Sequence, residues 1–370
     1  MNQSLLKEIS LAGLKSGESV SLPESLVSSL KAESYFTLLL PEQLGGKQMN
    51  YPEYVRLVQE VAKADGSTAW CVNQGSVLST LARLLPPDVA QEIWDSPSVT
   101  LANGPPAKCQ STEIENGYSL TGSWSFSSGI NHADWLLAMA PVVGKGSSRR
   151  IFLWHFLPKH EAMIGDAWQV NGLKATGSFE FSVADLTIPA THAINVQIQK
   201  QDPPLYQIPL NLLFACGFAA VALGVSRAAL DFTIEKLQQK IKRFEKTTMS
   251  EDLLTQSSIG RSEALWQSAE AYLYQQVDAV WQSVNNSGYC SFDDKIKLRL
   301  AATHVIRQSK EVTDQAYDLC STDSIFETQD IHKRFQDMHV ITQHLQGRPE
   351  IYSLVGKHYL GLPADSHLIS

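Results

Sequence analysis

Residues 116–135 hold the densest pattern in the chain: Asn116-Gly-Tyr-Ser-Leu-Thr-Gly-Ser-Trp-Ser-Phe-Ser-Ser-Gly-Ile-Asn-His-Ala-Asp-Trp135. The pair Asn116-Gly117 suits a tight hairpin turn. Tyr118, Leu120, Trp124 and Phe126 then alternate as a strand requires. The strand runs into a small hydroxyl-rich loop, Ser127-Ser128-Gly129, ahead of an apolar strand from Asp134 to Pro141. An aromatic ring two positions before a serine, on a rigid strand end, makes a flat platform with a hydrogen-bonding tip. That combination suits a planar heterocycle, with Phe126 as platform and Ser128 as tip. Ser127 is the alternative one position earlier. In isolation such a pair is more often a core aromatic and a turn-capping hydroxyl.

Two further segments carry polar chemistry. Trp168 to Ser178 contains Gly172, Thr176, Gly177 and Ser178. A tight turn of this kind presents amides and hydroxyls to a ligand edge, with Thr176 and Ser178 as contacts. An ordinary loop between strands has the same composition. Thr342 to Gly347 places His344 near a helix end. A neutral imidazole there can take a phenolic proton, and a protonated one can stabilise developing negative charge. Most lone helical histidines are structural. The other histidines are scattered without companion carboxylates at ligand spacing, so no metal is expected.

The elements that must position these residues fall into three stretches: an N-terminal helical domain (1–103), a central β-domain (104–200) and a C-terminal helical bundle (201–370). Tyr51 to Ala64 shows a helix-spaced apolar stripe, broken by Asp65-Gly66-Ser67. Thr68 to Leu85 reads as a very apolar helix stopped by Pro86-Pro87, and Asp88 to Asp95 as a third helix. Short strand-like runs follow at 113–115, 118–121, 135–139, 151–156 and 179–188. From about Ile208 the spacing is helical again, over 210–242, 253–285, 293–319, 330–345 and 351–360. Ala215, Gly217, Ala219, Ala220, Ala222 and Gly224 allow close helix approach, which implies a bundle core or a subunit interface. Pattern alone gives an α+β fold with a bundle.

The chain has 370 residues, 44% of them hydrophobic and 18% charged, enough to bury a sizeable core. A net charge of −8 argues against a nucleic-acid partner. Five dispersed cysteines without a Cys-x-x-Cys pair fit a reducing compartment, not a disulfide framework or zinc site. The first residues lack the basic and apolar regions of a signal peptide. The longest apolar run, 211–225, is shorter than the ~20 residues that span a bilayer. A cytoplasmic protein without membrane contact is expected.

Five motifs in order resemble the acyl-CoA dehydrogenase superfamily, and in particular its two-component flavin-dependent monooxygenase branch, the group D hydroxylases. Pro41-Glu-Gln-Leu-Gly-Gly46 resembles the Pro-Glu-x-x-Gly-Gly segment, and Asp65 to Cys71 the next helix start. Phe126, Ser128 and His132-Ala-Asp-Trp135 match the flavin-contact segment. Gly172 to Ser178 is similar to Gly-x-x-x-Thr-Gly-Ser, and Thr342-Gln-His344 to the late histidine motif. The resemblance runs from Leu40 to Gly361. It implies the acyl-CoA dehydrogenase-like architecture of helical domain, β-barrel or sheet, and four-helix bundle. It implies reduced FMN, or less favourably FAD, with Phe126 against the isoalloxazine and Ser128 facing N5. Thr176 and Ser178 would lie beside flavin or phosphate. Oxygen would form a C4a-hydroperoxide whose N5 proton Ser128 holds, with His344 as the acid/base group near C4a. His132 would orient the loop or approach the substrate. A homotetramer is also implied.

Absences narrow the choice. No Gly-x-Gly-x-x-Gly or Walker sequence supports nicotinamide binding, so reduced flavin must come from a separate NAD(P)H-flavin reductase. No Gly-x-Ser-x-Gly elbow supports a hydrolase. Residues 341–348 hold no carboxylate where a dehydrogenase of this fold keeps its base, and His344 stands about there. Glu350, Glu245 and Glu251 are the alternatives for an acyl-CoA-oxidising enzyme. A flavin-free scaffold relative is a third possibility. Val72 to Ser76 lacks the substrate-facing histidine common in the branch, which leaves Asn73 or Gln74 in that place and room for N- or S-oxygenation. The substrate expected is small, aromatic or heteroatom-bearing. Lys240, Arg243 and Arg261 are phosphate candidates, each otherwise a surface charge.

Overall fold

The computed structural model describes residues 2–14, 19–143, 151–197, 202–241 and 246–364. The chain opens with α1 (Gln3–Gly13), α2 (Glu24–Ala32), α3 (Tyr51–Ala64), α4 (Gly66–Ser79) and α5 (Pro87–Ile93). Asp65 separates two helices of different kinds. Its carboxylate accepts the Thr68 amide at 2.8 Å and so caps α4. α3 buries one stripe that includes Tyr54, Val55, Val58 and Val61. α4 is buried on every side, Gln74 alone excepted. A helix with no polar face belongs at the centre of a structure.

Eight strands follow: β1 (Leu101–Asn103), β2 (Pro106–Ile114), β3 (Gly117–Trp124), β4 (Trp135–Val143), β5 (Ile151–Pro158), β6 (Met163–Ile164), β7 (Phe181–Pro189) and β8 (Ala193–Ile194). They form one mixed sheet in the order β6-β7-β3-β2-β4-β5-β8, with β1 parallel to β4. The β2–β3 hairpin turns at Glu115-Asn116, because Ile114 pairs with Gly117. Gly117 therefore serves the sheet and not the turn: a Cβ there would sit 2.1 Å from the Ile188 carbonyl oxygen of β7. β2 begins well before residue 113. Its side chains are mostly exposed, so its N-terminal half shows no apolar alternation. β3 stops at Trp124, whose ring stacks on Phe181 at 5.0 Å, and Phe126 lies outside the strand.

The remaining chain is helical: α6 (Pro204–Gln207), α7 (Leu210–Gln239), α8 (Leu253–Ser287), α9 (Phe292–Cys320), α10 (Asp330–Gln343) and α11 (Glu350–Tyr359). α7 is the axis of the molecule and packs against α3, α4, α8, α9 and α10. By length and composition it could cross a membrane, but its apolar window is 94% buried inside the chain, as a core helix requires. Its small residues do not form a subunit interface. A Cβ on Gly224 would lie 2.4 Å from the Gln59 carbonyl oxygen of α3, so the close approach is internal. Gly224→Ala is expected to cost about 1–3 kcal/mol by overpacking. An unchanged urea midpoint would show that α3 and α7 give way freely.

Candidate active site

The end of β3 delivers the first candidates and changes their roles. Phe126 has φ +55°, a left-handed conformation that strains a bulky residue. The strain turns its ring outward, where it is 63% exposed and meets Trp168 edge-to-face at 6.1 Å. Ser127 points the other way. Its hydroxyl is fully buried and donates to the Trp124 carbonyl at 3.3 Å, so it staples the loop.

Ser128 joins two parts of the molecule. Its Oγ accepts from the Trp70 indole N–H of α4 at 3.0 Å and lies 2.8 Å from Ser178 Oγ. Ser178 Oγ is 2.7 Å from Thr176 Oγ1, which donates to the Leu173 carbonyl at 2.7 Å. The Thr176 carbonyl in turn accepts from the Gly129 amide at 2.8 Å. Thr176 and Ser178 thus form a buried hydroxyl chain behind Ser128, anchored at the Leu173 carbonyl. This turn is held by the bundle: the Leu173 amide, at φ +48°, donates to Asp337 Oδ1 of α10 at 2.6 Å.

Trp70 is also the hub of an aromatic box. It stacks on Phe218 of α7 at 4.0 Å and meets His344 at right angles at 5.2 Å. Phe218 lies 4.7 Å from His344 and 5.9 Å from Phe214. Sequence reasoning passed over Trp70 and Phe218, since an aromatic in an apolar helix has the pattern of plain core.

His344 sits just beyond α10 and caps the short turn that follows. Its Nδ1 accepts the Gln346 amide at 3.4 Å, which leaves the proton of the neutral ring on Nε2. Burial, then the charges of Arg299 and Arg348, push its pKa down to about 4. At neutral pH the ring is therefore a hydrogen-bond donor through Nε2–H. Arg299, fully buried, donates to the Gln346 carbonyl at 3.0 Å and to Gln346 Oε1 and so fixes the turn.

The substrate candidates separate. Asn73, one turn after Trp70, is buried; Tyr54 donates to its Oδ1 at 2.6 Å, and its Nδ2 has no partner among the described residues. Gln74 is engaged with Asn103 of β1. His132 stacks on Phe36 at 4.5 Å and packs beneath Gly129, so it supports the loop. Burial and the charges of Lys31 and Lys159 lower its pKa to about 3. Glu251 and Glu350 are exposed. Lys240 is spent on the Cys320 carbonyl and Asp323, and Arg261 is exposed. Arg243 and Glu245 lie outside the described residues.

Residues 11–90 match the acyl-CoA dehydrogenase N-terminal domain, and residues 216–349 match the acyl-CoA dehydrogenase C-terminal domain. The chain belongs to the acyl-CoA dehydrogenase family. Among relatives in that family, indole-3-acetate monooxygenase of Pseudomonas putida is 26% identical over 345 residues, covering 92% of this chain and 87% of the relative. The oxygenase subunit HsaA, a flavin-dependent monooxygenase of Mycobacterium tuberculosis, is 23% identical over 361 residues, covering 94% and 91%. XiaF from Streptomyces, solved with FADH2 and glycerol, shares the fold at a TM-score of 0.92, with 20% identity and coverage of 98% and 95%. TdsC from Paenibacillus, solved with FMN and indole, does so at 0.85, with 17% identity and coverage of 99% and 98%.

Three buried histidines, two of them around the site and one in the sheet, make stability depend on pH. His132, His344 and His155 are all held below the usual histidine range, the last by burial between Ser111 and the Ala138 carbonyl. The unfolded chain, with histidines near pKa ~6.5, then binds more protons than the folded one as pH falls. Stability is expected to be full above that value and to drop below it, by up to about 1.4 kcal/mol per pH unit per histidine. Urea midpoints that stay level from pH 7 to 5 would contradict this.

Proposed function

We propose that this chain is the oxygenase component of a two-component monooxygenase, using reduced flavin to place one oxygen atom on a small aromatic substrate. FMN is favoured and FAD is the alternative. The carrying observation is the position of Ser128 between an aromatic pair, the exposed Phe126 and the half-buried Trp168, and the box of Trp70, Phe218 and His344. A planar cofactor covering Phe126 would remove apolar surface from water and offset the strain of its backbone. Bound reduced flavin supplies the electrons that activate molecular oxygen. The protein's part is positional. Ser128 accepts the N5–H and holds that proton in place. The rings of Trp70 and Phe218 wall an aromatic substrate. The Nε2–H of His344 stabilises negative charge on oxygen, and the unpaired Nδ2 of Asn73 meets a polar group of the substrate.

The activities named for the relatives support an aromatic substrate. One acts on indole-3-acetate, another, from Acinetobacter baumannii, on p-hydroxyphenylacetate, and TdsC was solved with indole. A separate NAD(P)H-flavin reductase supplies the reduced flavin. The domain boundaries at 103 and 200, the cytoplasmic location and a homotetramer are part of the same proposal. Leu253 and Leu254, almost fully exposed at the start of α8, support assembly.

Anaerobic titration with FMNH2, followed by rapid mixing with oxygenated buffer, tests the function. A transient absorbance distinct from reduced and oxidised flavin, shortened in Ser128→Ala, is expected. Tight binding of oxidised FAD with reduction by an acyl-CoA would replace this function with dehydrogenation.

A further inference from the structure

The hydroxyl chain behind the site has a fixed direction, and it follows from counting protons. Thr176 has one hydroxyl proton, and the Leu173 carbonyl, which can only accept, takes it at 2.7 Å. The 2.7 Å contact between Thr176 and Ser178 must then use the Ser178 proton. With that proton spent, the 2.8 Å contact between Ser178 and Ser128 must use the Ser128 proton. On its other side Ser128 receives the indole N–H of Trp70, a donor that cannot reverse. Ser128 therefore has no proton left to give. It keeps one lone pair for a further partner.

We propose that Trp70, Ser178 and Thr176 are positioning residues that make Ser128 an acceptor-only hydroxyl and thereby tune the site to the reduced state of the flavin. This rests on the reading that Ser128 faces flavin N5. Reduced flavin carries N5–H, a donor that the remaining lone pair accepts. Oxidised flavin presents a lone pair at N5, which meets another lone pair and gains no hydrogen bond. All three hydroxyls are at least 94% buried, so water is not at hand to repair the mismatch. Selection between redox states is then built into residues that do not touch the flavin at all. Its origin is a carbonyl oxygen, that of Leu173, at the far end of the chain.

Binding measurements on the whole protein separate this mechanism from simple structural support. Dissociation constants for FMNH2 (anaerobic) and FMN are measured in wild type, Ser128→Ala, Ser178→Ala and Thr176→Ser. The wild type is expected to bind FMNH2 at least about ten-fold more tightly than FMN, one hydrogen bond being worth roughly that factor. For a two-electron couple, tenfold corresponds to a potential shift of about 30 mV. Ser178→Ala frees the Ser128 proton to turn toward N5, so FMN affinity should rise about ten-fold while FMNH2 affinity holds or falls. Ser128→Ala should narrow the gap from the other side, by weakening FMNH2 alone. Thr176→Ser keeps the terminal proton and should keep the wild-type ratio. A thermal melt of each variant checks folding. Equal wild-type affinities, or a Ser178→Ala variant that weakens both forms alike, would overturn the inference while leaving the monooxygenase function standing. No affinity for flavin in either state would overturn both.

Discussion

Replacing His344 by alanine is expected to lower the rate of product formation about 100-fold or more, the usual scale for a preorganised donor at a reacting oxygen. Reduced-flavin binding should change little. The chemical role is decided by the ring's tautomer. Gln346 donates to Nδ1, so a neutral His344 has Nε2–H and nothing basic at that nitrogen. With its pKa down at about 4, the ring stays neutral across the working range. Two consequences distinguish donation from general-base catalysis. Turnover should be level in pH from about 5.5 to 8 as far as this group is concerned, and should change only as pH falls toward 4. His344→Gln, whose amide N–H reaches about as far as Nε2–H, should recover much of the activity that His344→Ala loses. A pH limb near ~6.5, with no recovery in the glutamine variant, would show that the imidazole works as a base instead.

Lys333→Ala is expected to destabilise the protein by about 3–5 kcal/mol, because it leaves buried carboxylates without their cation. The Lys333 ammonium donates to Asp65 Oδ1 at 2.9 Å and Asp337 Oδ2 at 3.0 Å. Asp65 caps α4, which carries Trp70. Asp337 holds the amide of Leu173, where the Thr176–Ser178 turn begins. One ammonium therefore ties both walls of the site to the bundle. Burial alone would raise the Asp65 carboxyl, but the Lys333 charge and the hydrogen bonds from Lys333 and Thr68 outweigh it and hold the pKa at about 2. A depressed carboxylate contributes its stability above the unfolded value near ~3.9 and loses it as pH falls toward 2. Without Lys333 that acid transition should move to higher pH. Urea unfolding of the variant at pH 7 and pH 4 measures both effects. A loss below about 1 kcal/mol would mean that the carboxylates find water or another partner.

Much of the architecture is legible in local pattern. The stop at Asp65-Gly66, the apolar α4 and α7, the long amphipathic α8 and α9 and the alternation of β3 each need only a period and a breaker. Ser128 and His344 stand out for a similar reason: a hydroxyl after an aromatic strand and a histidine before a glycine turn are local signals. What periodicity reports is which face is buried, not what a buried polar atom is bonded to. Ser127 and Ser128 are neighbours of the same type, and only their partners, the Trp124 carbonyl for one and the Trp70 indole for the other, tell them apart.

The same holds for the residues that changed role. Phe126 looked like a strand residue until its positive φ turned it to solvent. Thr176 and Ser178 read as independent hydroxyls in the sequence, and the fold joins them into one chain that ends on Ser128. The small residues of α7 looked like a possible subunit interface, yet they are buried in their own chain, Gly224 against α3 and Gly217 against Asn73 of α4. By itself the sequence determined the order of elements, the buried faces and the chemistry available. The tertiary structure alone decided which way the protons of the Ser128–Ser178–Thr176 chain point and which nitrogen of His344 has the proton. Those depend on donors and acceptors far away in the chain, and a hydrogen bond's direction is set by its partners, not by its position in a pattern.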